Sequence, residues 1–453
     1  MRLGNFNKFE CTRLSQYLPK IIDFKMRILS LPMFIGLILT IFTSKAFSQE
    51  FQVLRYTPAQ IEALFLEQNL QLIAENMNID LADAEIVQAR LWDNPELSIG
   101  SVNFWSTPKQ REEIGMGTFP RNTQFSIELS QLIQTANKRK KLVNREKTAK
   151  EIAIQEFEDV LRGLKIELRT LIIEAEYLQS YREVLSGQQK SMEQLISAYR
   201  KQTEQRNVAK SELIRLQSGL LELESETNEI QIALNEQQKN LKSLLNLPPF
   251  YIIEIDGNRS EVANPDDVLL ASLLEKAAEA RPDIKRQQLQ TQFYEKSLAY
   301  EKSQRVPDIT LSANYDRYDG LWKDYVGLGV SFSLPFLNRN QGNIKAAKIS
   351  IEQSRSLDQH QQNIAQHEVA EAFGNYIHAY RFYKKITANE FLAELDNMLD
   401  VYIQNLLGGN ISMLEYIDFM EAYKSNKQTV LSSRKNMYAS FEELQYRVGF
   451  GVK

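Results

Sequence analysis

Cysteine is nearly missing: Cys11 is the only one in 453 residues. That excludes a disulfide framework and any metal site built on paired thiolates. Histidine is almost as scarce, with His360, His367 and His378 alone. Glycine (18) and proline (12) are few, so the chain lacks the punctuation of a turn-rich fold and suits long helices. No charge of one sign dominates: the formal net charge is −4 with 25% of residues charged, which leaves no electrostatic footprint for nucleic acid. After the first fifty residues no apolar run reaches the ~18 residues of a membrane-crossing helix. A nucleophile–base pair, a phosphate-cradling loop and a metal signature are all lacking. No enzyme activity and no cofactor are therefore expected.

What is present begins with an export signal. Lys25-Met26-Arg27 is basic, residues 28–42 are apolar, and Ala46-Phe47-Ser48 offers a small-x-small cleavage site before Gln49. Met26 reads as the true start, with residues 1–25 an upstream extension and 26–48 the signal; the alternative is an uncleaved anchor. Cleavage would remove Cys11 and, with it, any thiol for a lipid anchor.

The rest of the chain repeats itself. Asn94-Pro95-Glu96-Leu97 matches Val306-Pro307-Asp308-Ile309 at a shift of 212 residues. Phe125-Ser126-Ile127 matches Val330-Ser331-Phe332 at 205, and Tyr199…Asn207-Val208…Glu212 matches Tyr402…Asn410-Ile411…Glu415 at 203. Residues 49–247 form the first repeat, 248–267 a breaker-rich linker, and 268–453 the second repeat. Each reads helix, strand, loop, strand, long helix, tight break, returning helix, with helical hairpins at 134–247 and 342–448.

Leucines at steps of three and four mark the seam of an antiparallel coiled coil, and the rod from about residue 136 to 204 would run about 100 Å. Helices alone also suit a soluble coiled-coil scaffold or a periplasmic adaptor. The strands argue otherwise. Segments 96–105, 124–131, 308–318 and 324–335 alternate apolar with polar residues over membrane-spanning lengths. Phe104, Trp105, Tyr315, Tyr318, Trp322 and Tyr325 crowd their loop ends, as interfacial aromatics do. Four strands cannot close a barrel, and an open edge in lipid is prohibitive, so several chains must contribute. Three would supply twelve strands; the physics requires oligomerisation without fixing that number.

In the order and spacing of these elements, the chain resembles the TolC family of outer-membrane efflux factors. The matching motifs are the two Pro-acid strand starts, Arg281-Pro282-Asp283, and Leu334-Pro335-Phe336-Leu337-Asn338-Arg339-Asn340-Gln341-Gly342. Asn137-Lys138-Arg139-Lys140 is similar to the family's Gly-Gly-Lys-Arg turn with the glycines replaced. The resemblance implies a mainly α protein with transmembrane β-strands. It would be a homotrimer, with a 12-stranded barrel in the outer membrane of a Gram-negative bacterium and a 12-helix barrel below. It implies a passive duct for a periplasmic adaptor and an inner-membrane pump, of RND type if the heavy-metal branch applies, with metal cations as cargo. A drug-efflux or type I secretion duct has the same fold.

The resemblance also maps the sites. Arg206, Asn207, Val208 and Ala209, and Gly408, Gly409, Asn410, Ile411 and Ser412, would be the adaptor-docking tips. Asn207 is the candidate for the left-handed position in the first, which lacks glycine. Glu415 and Asp418, three apart on one helical face, align with acidic positions that constrict the family's closed tunnel, and Glu212 is the first repeat's counterpart. They are read either as a pore ring or as a solvated face. Lys138, Arg139, Lys140 and Lys141 suit lipid phosphates or water. Met413 and Met420 suit packing or a soft metal. The three histidines cannot share one metal within a chain, since steps of 7 and 11 residues separate them by about 10 and 16 Å. Rings of symmetry copies and a wet helix face both remain open.

Overall fold

The computed structural model describes residues 52–102, 107–114, 124–257, 259, 261–319, 322–388 and 391–449. Phe104 and Trp105 lie outside these. The described chain runs β1 (Gln52–Tyr56), α1 (Pro58–Gln68), α2 (Leu70–Arg90), β2 (Glu96–Gly100), α3 (Pro108–Ile114), β3 (Ser126–Ile133), α4 (Lys138–Glu204) and α5 (Lys210–Leu244). It continues with β4 (Tyr251–Ile255), α6 (Leu270–Ala280), α7 (Pro282–Ser303), β5 (Ile309–Asp319), β6 (Trp322–Phe332), α8 (Gln341–Thr387), α9 (Phe391–Leu407) and α10 (Met413–Val448).

Helix α4 is unbroken for 67 residues, about 100 Å at 1.5 Å per residue, and passes straight through Gly163 and Gly187. Its buried positions, among them Leu164, Leu168, Ile172, Ala175, Leu178, Leu185, Met192 and Tyr199, keep steps of three and four. The second hairpin differs from the first. Its descending arm ends at Thr387 and restarts at Phe391, so it is two helices where the sequence pattern predicts one.

Four strands make one antiparallel sheet in the order β2-β3-β5-β6. The helices that feed them follow the same order, because α2 packs on α4, α4 on α7, and α7 on α8. Farther from the sheet the wall continues as α5 against α4, α4 against α10, and α10 against α8 and α9. The molecule is thus a wall four helices wide, with a sheet at one end and two turns at the other.

A second, two-stranded sheet pairs β1 with β4 in parallel, Gln52 opposite Tyr251 through Tyr56 opposite Ile255. The predicted linker therefore contains a strand. With α1, this sheet lies on the broad face of the wall, where Ile61, Phe65, Leu168, Ile172, Leu241, Leu245 and Ile253 share one core. Gln238 caps the free edge of β4: its amide donates to the Ile253 carbonyl at 2.6 Å and accepts the Ile253 N–H at 2.9 Å.

The wall is tied at Arg281-Pro282-Asp283. Pro282 opens α7, where its missing N–H costs nothing. Arg281 and Asp283 are both buried and form a bidentate pair at 2.7 and 3.0 Å. Arg281 also reaches Glu368 of α8 (2.8 Å) and the carbonyl of Arg447 in α10 (3.2 Å). Asp283 takes Gln361 of α8 at 2.7 Å and Arg162 of α4 at 3.4 Å. Four long helices therefore meet at one ion cluster. Burial alone would raise the Asp283 pKa, but Arg281, with Arg162 behind it, brings it down to about 2.

Because that folded pKa lies below the unfolded value, Asp283 stabilises the fold above pH ~4, and the contribution is lost as pH falls through about 2. Asp283→Asn leaves two buried guanidiniums short of a carboxylate and should cost about 3–5 kcal/mol. Thermal unfolding in detergent should show a clear drop in midpoint at pH 7, with a deficit that shrinks toward pH 2. Arg355→Gln, which breaks the exposed pair with Glu295, should change little. Equal effects of the two substitutions would remove the node's structural role.

Candidate functional site

The two turns at the far end of the wall have one geometry built twice. After α4, Arg206 takes φ 62°, its N–H bonds the Thr203 carbonyl (3.1 Å), and the Asn207 N–H bonds the Gln202 carbonyl (2.9 Å). After α9, Gly409 takes φ 71°, its N–H bonds Leu406 (3.1 Å), and the Asn410 N–H bonds Asn405 (2.8 Å). Both are Schellman closures. The left-handed residue of the first turn is therefore Arg206, not Asn207 as the sequence suggests. Asn207 stands one place later, where its side-chain amide donates to Gln202 at 2.8 Å, as Asn410 does to Asn405 at 3.2 Å. Gly408 needs no positive φ; Gly409 does.

The returning helices start differently. Ser412 caps α10 by accepting the Glu415 N–H (3.3 Å), while the Glu415 carboxylate accepts the Ser412 N–H (2.7 Å) and hydroxyl (2.8 Å). This is a capping box. The Ser412 backbone N–H, then its hydroxyl, hold the Glu415 carboxyl below the usual range. Val208 leads into Ala209, which caps α5 with no side-chain bond, so Glu212 has no such partner. It lies half-buried near Tyr199, whose hydroxyl is pushed up by burial and by that carboxylate. Asp418 joins Glu415 on the exposed face, with Ile411 partly buried beside them.

Beneath the turns lies a core of Met192, Leu195, Tyr199, Leu216, Met413, Tyr416 and Met420. Met413 and Met420 of α10 are thus packed inside it. Two polar clusters that sequence spacing could not reveal brace this end. Glu226 of α5 accepts from Tyr181 of α4 (2.5 Å) and Lys424 of α10 (2.8 Å). Asp396 of α9 accepts from Tyr423 (3.0 Å) and Lys427 (2.7 Å) of α10. Their partners are up to 198 residues apart.

At the other end, the sheet register lines up apolar rows. Ile99, Ile127, Tyr315 and Val326 form one, and Leu97, Leu129, Ala313 and Leu328 the next. The opposite face carries Ser98, Glu128, Asn314 and Gly327 in register. The apolar face is bare, with Leu328 89% exposed. Of the predicted interfacial aromatics, Tyr315 and Trp322 fall on this face. Tyr325 falls in the row of Ser126 and Asp316 on the polar side, a consequence of the two-residue strand period. Tyr318 pairs with Lys323, and its side chain is outside the described residues.

The strand-to-helix turn before α4 uses two left-handed residues, Ala136 (φ 53°) and Asn137 (φ 57°), the second of which stands where the resemblance expects a glycine. Lys138 is buried against Asp308 at 2.8 Å and the Arg139 guanidinium stacks 3.7 Å over Trp92. Lys138 therefore meets neither lipid phosphates nor water, the two alternatives for this cluster, and Arg139 is stacked within the chain; Lys140 remains exposed. His360, His367 and His378 are all exposed on α8, and among the described residues no three His, Cys, Asp or Glu side chains gather as a metal site. No helix among those residues is long and apolar enough to cross a membrane.

Residues 63–247 match the family model described as outer membrane efflux protein. That segment of the chain is therefore similar to the outer membrane efflux proteins. The chain is 25% identical over 292 residues to the cobalt-zinc-cadmium resistance protein CzcC of Cupriavidus metallidurans, covering 62% of this chain and 63% of that one. Among solved structures it superposes on the outer membrane channel CmeC of Campylobacter jejuni (TM-score 0.69, 14% identity, 86% of this chain and 85% of that one). It also superposes on CusC, described in terms of transmembrane channel formation (TM-score 0.66, 17% identity, 90% and 95%). CmeC and CusC are both described as channels.

The capping box makes Glu415 a helix-starting residue as well as a charge. Glu415→Gln keeps a residue that can complete the box, and with Asp418→Asn it removes both charges. In planar bilayers this double variant should lose cation preference with its melting temperature unchanged. Undiminished cation selectivity would assign both acids to helix capping and solvation alone.

Proposed function

We propose that this protein is the outer-membrane duct of a tripartite efflux system, a homotrimer that passes cargo received from a periplasmic adaptor and an inner-membrane pump. The observation that carries the reading is the open sheet with one bare apolar face, continued strand by strand into a helical wall of the same order. Its two edges, β2 and β6, fall on the same sides of the molecule as the edge helices α2 and α8. Closing the ring with copies satisfies both layers at once, and twelve strands from three chains make a barrel of ordinary size. Exposed Leu70, Ile73, Met77, Leu81 and Leu91 along α2 support the same closure, since they lie opposite the face packed on α4.

The tips built by Arg206–Ala209 and Gly408–Ser412 are the docking points for the adaptor. Glu415, Asp418 and their symmetry copies line the narrow end and favour cations. The resemblance to CzcC, a cobalt-zinc-cadmium resistance protein, favours divalent metal cations as cargo and an RND-type pump as partner.

A strain lacking this protein should lose growth on graded zinc, cobalt or cadmium and keep its tolerance of lipophilic drugs and bile salts. Sensitivity to drugs alone would overturn the metal assignment and leave the duct standing. Recovery of the mature chain in the soluble periplasmic fraction would overturn the duct.

A further inference from the structure

A cavity of about 850 Å³ lies on the broad face of the wall, between α4, the end of β4 and α10. It is remote from the tips and the sheet. Its helix-α4 residues, 173–183, stand 35–45 positions beyond Lys138, about 50–70 Å along the rod from the strands. Because α4 and α10 are inner helices of the wall, the cavity is away from the edges that copies would cover. The β1–β4 sheet and α1 are stacked on this same face. In a duct that bulk belongs outside, since inside it would fill the channel.

The lining is built of both charges. Arg182 and Arg434 have no carboxylate partner, and Glu183 and Asp256 have no cation, among the described residues. The wall behind them is incomplete in hydrogen bonding. Arg259, with its side chain 9% exposed, holds Glu176 at 2.6 Å and lies over the Tyr438 ring. Among the described residues, its Nη2 and the second Glu176 oxygen have no hydrogen-bond partner. Arg259 stands behind the lining, so the unpaired charges on the lining itself are what a ligand with both kinds of group would meet.

We propose that this cavity binds a short zwitterionic peptide, one carrying free carboxylate and ammonium groups, and specifically a stem peptide of the cell-wall polymer that the duct must cross. The inference rests on the duct reading for its location. The volume suits a small ligand. A helical hairpin would instead need a long apolar groove, which this polar, half-closed cleft does not provide. Carboxylates of the peptide meet Arg182 and Arg434, its ammonium meets Asp256 and Glu183, and Tyr177 and Tyr438 flank its stem. The site would hold the rod at a fixed level in the wall.

The test is calorimetric titration of the full chain in detergent with a disaccharide-tetrapeptide fragment of Gram-negative peptidoglycan, beside the peptide-free disaccharide. Binding of the first alone, weakened at least tenfold by Arg434→Gln with Asp256→Asn at unchanged melting temperature, is expected. No binding of the tetrapeptide fragment, equal binding of the bare disaccharide, or an unaltered affinity in the double variant would each overturn the proposal. So would protection of the cleft by adaptor alone. Fractionation of the double variant with the outer membrane separates these outcomes from a failure of the duct reading.

Discussion

Backbone amides at the edge of a sheet need partners, and this chain meets that requirement in two different ways. At β4 a side chain does it: the Gln238 amide gives Ile253 both hydrogen bonds that a neighbouring strand would have given. At β2 and β6 a whole edge of the four-stranded sheet is left open. In water such an edge is an aggregation hazard; in lipid it is untenable, because each orphaned group costs several kcal/mol. A bare apolar face with open edges is therefore an incomplete structure, and completing it requires more chain. The rest of the architecture follows from that constraint, since each strand continues into a helix and the edges of one layer become the edges of the other.

The helical wall must hold that order over about 100 Å without a conventional globular core. Its apolar contacts are distributed along the rod in separate clusters, one near the tips, one under the β1–β4 sheet and one where α6 packs on α8 and α10. Apolar packing alone is weakly specific for register along such a rod. The Arg281–Asp283 cluster supplies the register at one level, because its donors and acceptors come from α4, α7, α8 and α10 and match in one alignment only. Buried ion pairs are a poor source of net stability, but a fixed alignment is what they supply best. The Glu226 and Asp396 clusters act likewise lower down, each tying α10 to a neighbour.

Much of this was legible in the sequence, and the reasons differ by element. The long α4 and the β5–β6 hairpin stand out because an uninterrupted period needs only local residues. Duplication made the two tips comparable before any coordinates. What failed to appear depends on distance or on backbone detail. The β1–β4 pairing joins five-residue strands about two hundred positions apart, one of them inside a breaker-rich segment. The interruption between Thr387 and Phe391 has no proline or glycine to announce it. Tyr325 looked interfacial by position, yet its place in the period puts it on the polar face. Arg281-Pro282-Asp283 was visible as a motif, whereas its partners Arg162, Glu368 and Arg447 were not.

Arg206 shows why side-chain identity can mislead where backbone geometry is the conserved quantity between repeats. The Schellman closure requires a left-handed residue immediately after the helix, whatever stands there. In the second repeat glycine meets that need without strain. In the first an arginine does, at a cost of about 1 kcal/mol for its Cβ. Asparagine tolerates the left-handed region better and sits next door, but its position is already committed to the amide bond back to Gln202. The two tips therefore present the same backbone with different surfaces, one bearing a long cation and the other bare. One fold element, built twice, thus gives two chemically distinct turns, and a partner that met both need not bind both alike.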